Sequence, residues 1–304
     1  MTDQSRCGFF AIIGAPNAGK STLLNRVVGS KIAIVTPKVQ TTRNRIVGIA
    51  LHGPAQLVFI DTPGIFTPKR RLERAMVEAA WTGAADTDGI VLLIDAGAAR
   101  HGKPDADAQA IVAALKDQGR RAVVALNKVD AVDRAKLLDL AAWVDAQGIA
   151  ERIFMISGLS GDGVPDLLDD LAARAPAGPW HYPEDQISEI PLRDLAAEVT
   201  REKLFLALRQ ELPYALTVET EKWEERRDGS ARIEQVIYVR RDSQKSIVLG
   251  KGGQQIKKIG EDARRELEAI LERRIHLFLF VKVRENWVDD PERYRALGLE
   301  FPKG

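Results

Sequence analysis

A glycine-rich segment between an apolar run and an amphipathic run limits the possible folds of this chain more than any other feature. The apolar run Phe9–Ile13 ends at Gly14, and residues 14–21 read GAPNAGKS. This order matches G-x-x-x-x-G-K-[ST] in its required context, with a strand before it and a predicted helix, Thr22–Val28, after it. The pattern predicts a phosphate-binding loop at the carboxyl end of a strand in an α/β sheet.

The predicted loop offers three kinds of phosphate contact. Its glycines let backbone N–H groups point at the α- and β-phosphates of a nucleotide, at the positive end of the helix. The Lys20 ammonium would lie between the β- and γ-phosphates, and the Ser21 hydroxyl would ligate Mg²⁺. The expected phosphate-binding residues are Gly14, Ala15, Pro16, Asn17, Ala18, Gly19, Lys20, Ser21 and Thr22.

The first 175 residues alternate short apolar runs with longer amphipathic stretches. After the first run, others follow at Leu57–Ile60, Ile90–Ile94, Ala122–Leu126 and Ile153–Ile156. Uncharged runs of this length are typical of strands that are buried on both faces. We predict a doubly wound, mostly parallel sheet, with one antiparallel edge strand where two strand-like runs flank the turn at residues 52–55.

A second polar motif, DTPG, follows the apolar run that ends at Ile60. A carboxylate at the end of a neighbouring strand can hold Mg²⁺ through a water molecule, and a flexible glycine N–H can contact a γ-phosphate. Alone, these four residues are also compatible with an ordinary β-turn. About forty residues after a phosphate loop, they predict a switch segment made of Asp61, Thr62, Pro63, Gly64 and Ile65.

A third motif, NKVD, follows the fourth apolar run and predicts the choice of base. The Asp130 carboxylate can accept two N–H groups that guanine presents on one edge and adenine lacks. A site that pairs polar groups in this way rejects the wrong partner by roughly 10⁴ or more. Asn127 would bridge the purine and the phosphate loop, and the stem of Lys128 would pack on the base. Ser157 and Gly158 would complete the pocket, with the Gly158 N–H donating to guanine O6.

In this order the three motifs resemble the translation-factor-related GTPases, and the resemblance implies further roles. The segment VQTTRNRIVGI would be the remaining switch, with Thr41 and Thr42, and Thr42 is the favoured Mg²⁺ ligand. Many such GTPases orient the attacking water with a glutamine where this chain has Ile65, so we expect slow intrinsic hydrolysis that a partner accelerates. In relatives with similar loops the equivalent of Asn17 helps to bind K⁺, although here it could also be a simple turn former.

The second half of the chain has a different organisation. Residues 176–190 are proline-rich and lack a regular period, so we predict a linker between a GTP-binding domain at residues 1–175 and a second domain at residues 191–304. Past the linker the patterns read helix, strand, strand, helix, helix, strand. Between Arg240 and Arg284 there are 12 Lys or Arg residues against 6 Asp or Glu residues.

A GKGG turn between the last two predicted helices suggests the role of the second domain. KH domains use a G-x-x-G turn in this position to clamp about four nucleotides of backbone. A final strand after two helices is typical of the type II KH fold, an α+β domain. The predicted RNA contacts are Val248, Leu249, Gly250, Lys251, Gly252, Gly253, Ile256, Lys257 and Lys258, with Ile259 beside them.

Together, the segments GAPNAGKSTLLN, QTTRNRIVGI, DTPGI, NKVD, ELPY and GKGGQQIKKIG resemble the Era family of bacterial ribosome-assembly GTPases over nearly the whole chain. The resemblance implies binding of GTP and GDP with Mg²⁺, and a KH domain that holds the 3′ end of 16S rRNA during maturation of the 30S subunit. It also implies a cytoplasmic protein, which we expect to be monomeric, with peripheral contact to the inner membrane. One departure is Gly158, where the family usually has alanine.

Composition and the missing glutamine leave two alternatives to weigh. An RNA-binding assembly factor with a structural, essentially non-hydrolysing nucleotide site stays possible because of Ile65. A relative that acts in tRNA modification or at membranes would carry catalytic cysteines or an amphipathic anchor, and neither is evident. The single Cys7 and the lack of a segment with about 18 uncharged apolar residues predict a soluble intracellular protein.

Overall fold

The computed structural model describes residues 5–36, 38, 46–66, 68, 71–209 and 212–284. Within these ranges the chain forms two compact units: an N-terminal unit of residues 5–33 and 46–189, and a C-terminal unit of residues 34–38 and 190–284. The predicted switch threonines Thr41 and Thr42 lie outside the described residues, as do residues 285–304.

The N-terminal unit is built on a six-stranded sheet. Its strands, in the spatial order β2-β3-β1-β4-β5-β6, are β1 Arg6–Gly14, β2 Ile46–His52, β3 Ala55–Asp61, β4 Gly89–Asp95, β5 Ala122–Asn127 and β6 Ala150–Met155. All neighbours are parallel except β2 and β3, which form an antiparallel pair at one edge. The predicted mostly parallel sheet with one antiparallel edge strand is therefore confirmed.

Helices cover both faces of this sheet, as the uncharged strands require. They are α1 Lys20–Val28, α2 Arg71–Ala85, α3 Ala106–Asp117, α4 Arg134–Ala146 and α5 Val164–Arg174. Leu23 of α1 and Leu167 of α5 are buried in the core of one face, and Ile111 of α3 and Leu140 of α4 are buried in the core of the other. The sheet is thus doubly wound, and the carboxyl ends of its parallel strands share one edge.

The segment that follows α5 lies along the antiparallel edge of the sheet. The Ile49 N–H donates to the Ile187 carbonyl oxygen at 2.9 Å, and the Ser188 hydroxyl donates to the Val47 carbonyl oxygen at 2.7 Å. Gln56 is fully buried, and its side-chain oxygen accepts the N–H groups of His181 and Tyr182. This proline-rich segment is therefore ordered against β2 and β3 and protects the sheet edge.

The C-terminal unit has the predicted order α-β-β-α-α-β. Its elements are α6 Leu192–Ala207, β7 Leu216–Glu225, β8 Ala231–Val239, α7 Asp242–Leu249, α8 Gln254–Leu271 and β9 Ile275–Val283. In the spatial order β7-β8-β9, the first pair of strands is antiparallel and the second is parallel. A final strand placed parallel to β8 completes the type II KH fold.

One predicted boundary in this unit is wrong. The sequence pattern extended the first helix to Glu211, but α6 ends at Ala207, and Leu208 is already extended with φ −91° and ψ 155°. A short 3₁₀ turn, Leu212–Ala215, follows. Pro213 explains the early end, because proline cannot continue a helix and disfavours helical geometry in the residue before it.

A short stretch from the first half of the chain belongs to the C-terminal unit. The Val35 N–H donates to Glu202 Oε1 at 2.8 Å, and the Lys38 ammonium donates to the carbonyl oxygens of Phe205 and Leu208. Carbonyls at the end of a helix lack partners within the helix and favour a cation, so Lys38 caps the carboxyl end of α6.

Across the part of the chain that the structure describes, none of the helices combines the length and the apolar character that a bilayer span requires.

Candidate functional site

The phosphate loop connects the end of β1 to the start of α1. Gly19 has φ 96° and immediately precedes the first helical residue, Lys20. A Cβ atom at Gly19 would lie 2.3 Å from the Asn127 side-chain nitrogen, so no larger residue fits there without displacing Asn127. The loop therefore brings backbone N–H groups to the amino-terminal end of α1, where the helix dipole favours an anion.

Lys20 is held inside this loop. Its side chain is buried, and the ammonium donates to the carbonyl oxygens of Gly14 at 3.0 Å and Ala15 at 2.9 Å. Burial lowers the pKa of Lys20 from 10.5 to about 8, and the Asp61 carboxylate opposes that shift. A phosphate anion in the loop would favour the charged form of Lys20 much more strongly than two neutral carbonyls do.

Two of the predicted magnesium-binding side chains lie in contact. The Ser21 hydroxyl donates to Asp61 Oδ2 at 2.8 Å, and Asp61 is fully buried at the carboxyl end of β3. A hydroxyl and a carboxylate are hard oxygen donors of the kind that Mg²⁺ uses together with phosphates. The donor set therefore fits magnesium, with Ser21 as a direct ligand and Asp61 acting through water, as predicted.

The switch segment after β3 lies against the phosphate loop. A Cβ atom at Gly64 would lie 3.1 Å from the backbone of Pro16, and the Ile65 N–H donates to the Gly14 carbonyl oxygen at 3.1 Å. The Ile65 side chain is only 6% exposed and packs in the core with Ala15 and Ala80. Ile65 thus presents its backbone to the loop, and its side chain cannot orient a water molecule.

Asn127 joins the third motif to the phosphate loop. Its side-chain nitrogen donates to the Ala18 carbonyl oxygen at 2.8 Å, and its side-chain oxygen accepts the Gly158 N–H at 2.9 Å. We predicted that the Gly158 N–H donates to guanine O6; in this structure that donor contacts Asn127. Ser157 is fully buried, and its hydroxyl accepts the Ser160 N–H at 3.0 Å, which closes the loop after β6.

Asp130 and Lys128 flank the predicted base position differently. Asp130 is exposed and forms no hydrogen bond or ion pair with the described residues, so its two oxygens are available to a ligand. Lys128 has φ 67°, and its ammonium contacts Asp95 Oδ2 at 2.6 Å. The other oxygen of Asp95 accepts the N–H groups of Gly97 and Ala98. Asp95 therefore fixes the end of the Lys128 side chain.

Sequence reasoning missed Asp95, although a signal was present. Asp95 ends the uncharged strand β4 and lies beside Asn127 in the register of β4 and β5. Because parallel strands end at the same edge of a sheet, a carboxylate there belongs with the motifs that follow β1, β3 and β5. Arg26 of α1, whose guanidinium donates to the Gly158 and Leu159 carbonyls, was also missed.

A second candidate site lies in the C-terminal unit, around the turn between α7 and α8. Gly250, Gly252 and Gly253 have φ of 70°, 59° and 76°, and a Cβ atom at Gly252 or Gly253 would meet open space. The exposed cations Lys251, Lys257 and Lys258 follow the same turn and the first turns of α8. The structure therefore presents an exposed backbone turn beside positive charge, as an interaction with a phosphate backbone requires.

The apolar groove differs from the one that the sequence suggested. Val248 is fully buried and Ile259 is 3% exposed, so both pack in the core and cannot line an exposed groove. Leu249 and Ile256 are partly exposed. The correction has a simple cause: on a short helix, packing against the sheet decides which of several adjacent apolar residues faces outward.

The groove instead runs between α8 and the edge strand β9 and has a volume of about 450 Å³. Ile256, Leu277 and Leu279 supply apolar surface, and Lys257 and Arg264 supply positive charge. Glu261 and Arg264 also line it, and each forms an ion pair along α8, with Arg265 and Glu268 respectively. An apolar groove with basic residues beside it suits the bases and backbone of a single-stranded nucleic acid.

Comparisons with known proteins support both sites. The family described as "50S ribosome-binding GTPase" matches residues 9–128, and the KH domain family matches residues 211–288. The GTPase Era of Rhizobium meliloti strain 1021 is 63% identical over 299 residues, which cover 98% of this chain and 94% of that protein. The GTPase Era of Brucella suis biovar 1 is 60% identical over 299 residues, with 98% and 95% covered.

Two solved structures are similar over the whole chain. A point variant of Aquifex aeolicus Era bound to GDP·AlF4⁻ has a TM-score of 0.88 and 36% identity, with 96% of this chain and 99% of that chain covered. Era in complex with MgGDPNP and nucleotides 1506–1542 of 16S ribosomal RNA has a TM-score of 0.89 and 36% identity, with 97% and 99% covered.

Proposed function

The chain belongs to the Era family of GTPases, and from this premise we propose that its KH unit binds the 3′ region of 16S rRNA during assembly of the 30S subunit. The observation that carries the proposal is the exposed G-x-x-G turn beside a basic, apolar groove, in the same chain as a complete guanine-nucleotide site. One solved family member was crystallised with MgGDPNP and nucleotides 1506–1542 of 16S ribosomal RNA.

The nucleotide is held by the N-terminal unit. Backbone N–H groups of the loop would bind the α- and β-phosphates, and Lys20 would exchange its two carbonyl contacts for phosphate oxygens. Ser21 and Asp61 would hold Mg²⁺, which neutralises charge that develops on the transferred phosphoryl group. Asp130 would accept the guanine N–H groups while Lys128, held by Asp95, covers the base.

Hydrolysis without a partner would be slow. The Ile65 side chain is buried, so it leaves the attacking water to be oriented by backbone groups. A positive finger contributes about 10³ to 10⁵ in rate to other GTPases. We propose that K⁺ beside Asn17 supplies part of this charge and that the ribosomal particle supplies the rest. Since the chain is a GTPase, the alternative of a purely structural nucleotide site is the weaker one.

The RNA would lie across the turn and along the groove. Lys251 and the exposed glycine backbone would contact phosphates, and the partly exposed Ile256 would contact bases in the groove between α8 and β9. Lys257 and Lys258 would add sequence-independent attraction that weakens with salt. The family resemblance also underlies our proposal of a monomeric cytoplasmic protein with peripheral contact to the inner membrane.

Ultraviolet crosslinking of the full chain to RNA in bacterial cells tests the proposal. We expect crosslinks to concentrate near the 3′ end of 16S rRNA and to be lost in Gly252→Asp, because the new carboxylate would repel phosphate where the backbone is exposed. Gly229→Asp is a matched control: Gly229 also has positive φ and open space around its Cβ position, but it lies in the turn between β7 and β8.

The crosslinking result has a clear reverse outcome. If Gly252→Asp crosslinks as well as the control, the turn does not bind RNA, and the assignment fails. Multiple-turnover GTP hydrolysis with and without small ribosomal subunits separates the two versions of the nucleotide site: a switch is accelerated by the subunits, whereas a structural site shows no turnover in either condition.

A further inference from the structure

The outer face of the C-terminal sheet carries two exposed aromatic side chains on its edge strand. Phe278 is 43% exposed and Phe280 is 48% exposed, although most large apolar side chains of this unit are buried. They alternate along β9 with Leu277, Leu279 and Val281, which pack toward the helices. We call Phe278 and Phe280 the aromatic strip.

The charges around the aromatic strip are balanced. The Arg232 guanidinium lies over the Phe278 ring, 4.8 Å from its centroid, and pairs with Glu234 at 2.6 Å. On the other side Lys282 pairs with Glu221 at 3.1 Å. These carboxylates each have a cation partner, so a ligand that contacts the strip meets aromatic surface and little net charge.

The aromatic strip is continuous with the groove in which we propose that RNA binds. Phe278 lines that groove together with Ile256, Gly260 and Arg264. β9 is the edge strand of its sheet among the described residues, so no further strand separates the groove from the outer face. Two residues of a parallel strand span about 6.6 Å, so Phe280 is the next aromatic surface that a strand leaving the groove at Phe278 would meet.

From this continuity we propose that the aromatic strip stacks bases of single-stranded RNA beyond the nucleotides that the GKGG turn clamps. The inference rests on the proposed RNA-binding function and extends its site from about four nucleotides to about six. Aromatic rings stack on any base because every base has a π-face, so the strip would lengthen the bound RNA without adding strict sequence preference. The guanidinium of Arg232 on Phe278 offers a further planar surface of the same kind.

A nested series of labelled RNAs from nucleotides 1506–1542 of 16S rRNA tests this inference with the full chain. The shortest RNA that binds defines the clamped core, and we expect affinity to rise about fivefold or more as nucleotides are added on the side of β9. Phe280→Ala should remove this increase and leave binding of the shortest RNA unchanged. Phe280→Trp should retain it.

Leu206→Ala is the matched control for loss of an exposed apolar side chain. Leu206 is 52% exposed and lies on α6 of the same unit, away from β9, so this variant should bind long and short RNA like the wild type. The increase should also depend only weakly on salt, because stacking and not charge produces it, whereas binding of the shortest RNA weakens steeply with salt.

The outcomes separate this inference from the function on which it rests. If the shortest RNA binds but longer RNAs gain nothing, or if Phe280→Ala keeps the full gain, the aromatic strip does not bind RNA and only this inference fails. An oligomer that dissociates in Phe280→Ala, with no change in RNA binding, would assign the strip to a protein contact and overturn the inference. If no RNA of the series binds, the proposed function fails as well.

Discussion

The side-chain nitrogen of Asn127 donates to the backbone oxygen of Ala18 at 2.8 Å, which joins the base-selecting motif directly to the phosphate loop. The other side-chain atom of Asn127 accepts the Gly158 N–H, so one buried residue connects three loops. A nucleotide that binds at its phosphates therefore meets a base pocket that is already aligned with them, which reduces the entropic cost of binding.

Asn127→Ala should weaken both nucleotide binding and folding. It leaves the Ala18 carbonyl and the Gly158 N–H without their partner, at a cost of about 1–3 kcal/mol for each buried group. We expect at least a tenfold loss of GDP affinity by calorimetry and a lower melting temperature. Asn25→Ala is the control, because Asn25 also bonds backbone groups, at Ile32 and Ala33. An equal loss of GDP affinity in the control would contradict a role of Asn127 in the site.

Asp95→Asn should weaken GDP binding by about 3- to 10-fold. The substitution keeps the shape of the side chain but replaces a carboxylate oxygen near the Lys128 ammonium with an uncharged group, and a partly exposed ion pair contributes about 1 kcal/mol. Since Asp130 is intact, the preference for GDP over XDP should not change. Asp133→Asn, which loses the exposed pair with Lys136, should have no effect. A changed base preference would mean that Asp95 does more than hold Lys128.

The pH dependence of nucleotide binding should report the state of Lys20. Its pKa is lowered to about 8 in the nucleotide-free chain, and phosphates would raise it. Above about pH 8, GDP binding should therefore take up a proton and weaken as the pH rises, and below pH 8 this group should contribute no pH dependence. Calorimetry in buffers with different ionisation enthalpies measures the proton.

The stability of the nucleotide-free chain should change in the opposite direction. Because the pKa of Lys20 is about 10.5 when unfolded and about 8 when folded, the unfolded chain binds more protons between these values, and this group makes the fold more stable as the pH rises through that range. Proton release on GDP binding above about pH 8 would contradict the assignment.

Hydrolysis should be faster in K⁺ than in Na⁺ at equal ionic strength if Asn17 helps to hold a cation. Asn17 is exposed and has φ 63°, so Asn17→Gly removes its side chain and keeps a backbone geometry that glycine adopts easily. The variant should hydrolyse GTP at the same rate in both salts. Equal rates in the two salts for the wild type would refute the potassium hypothesis.

The parts of this fold that are encoded locally could be predicted from sequence. The strand before Gly14, the antiparallel edge at β2 and the six-element order of the C-terminal unit all follow from short apolar runs and turn residues. Val248 and Ile259 could not be placed correctly, because only packing against the sheet decides which side of α7 or α8 is buried. Asp95 was missed because its partner, Lys128, is 33 residues away and meets it only once the sheet forms.

Binding of guanosine, adenosine and xanthosine diphosphates by the wild type and by Asp130→Asn tests the central claim, that Asp130 selects the base for a nucleotide held by the phosphate loop. Asn would offer one acceptor to N1–H and one donor to the C2 oxygen of xanthine. We predict that the wild type prefers GDP to ADP by roughly 10⁴, and that Asp130→Asn loses about 10- to 100-fold for GDP and gains preference for XDP. Equal affinities of the wild type for GDP and ADP, or an unchanged preference in Asp130→Asn, would contradict the account.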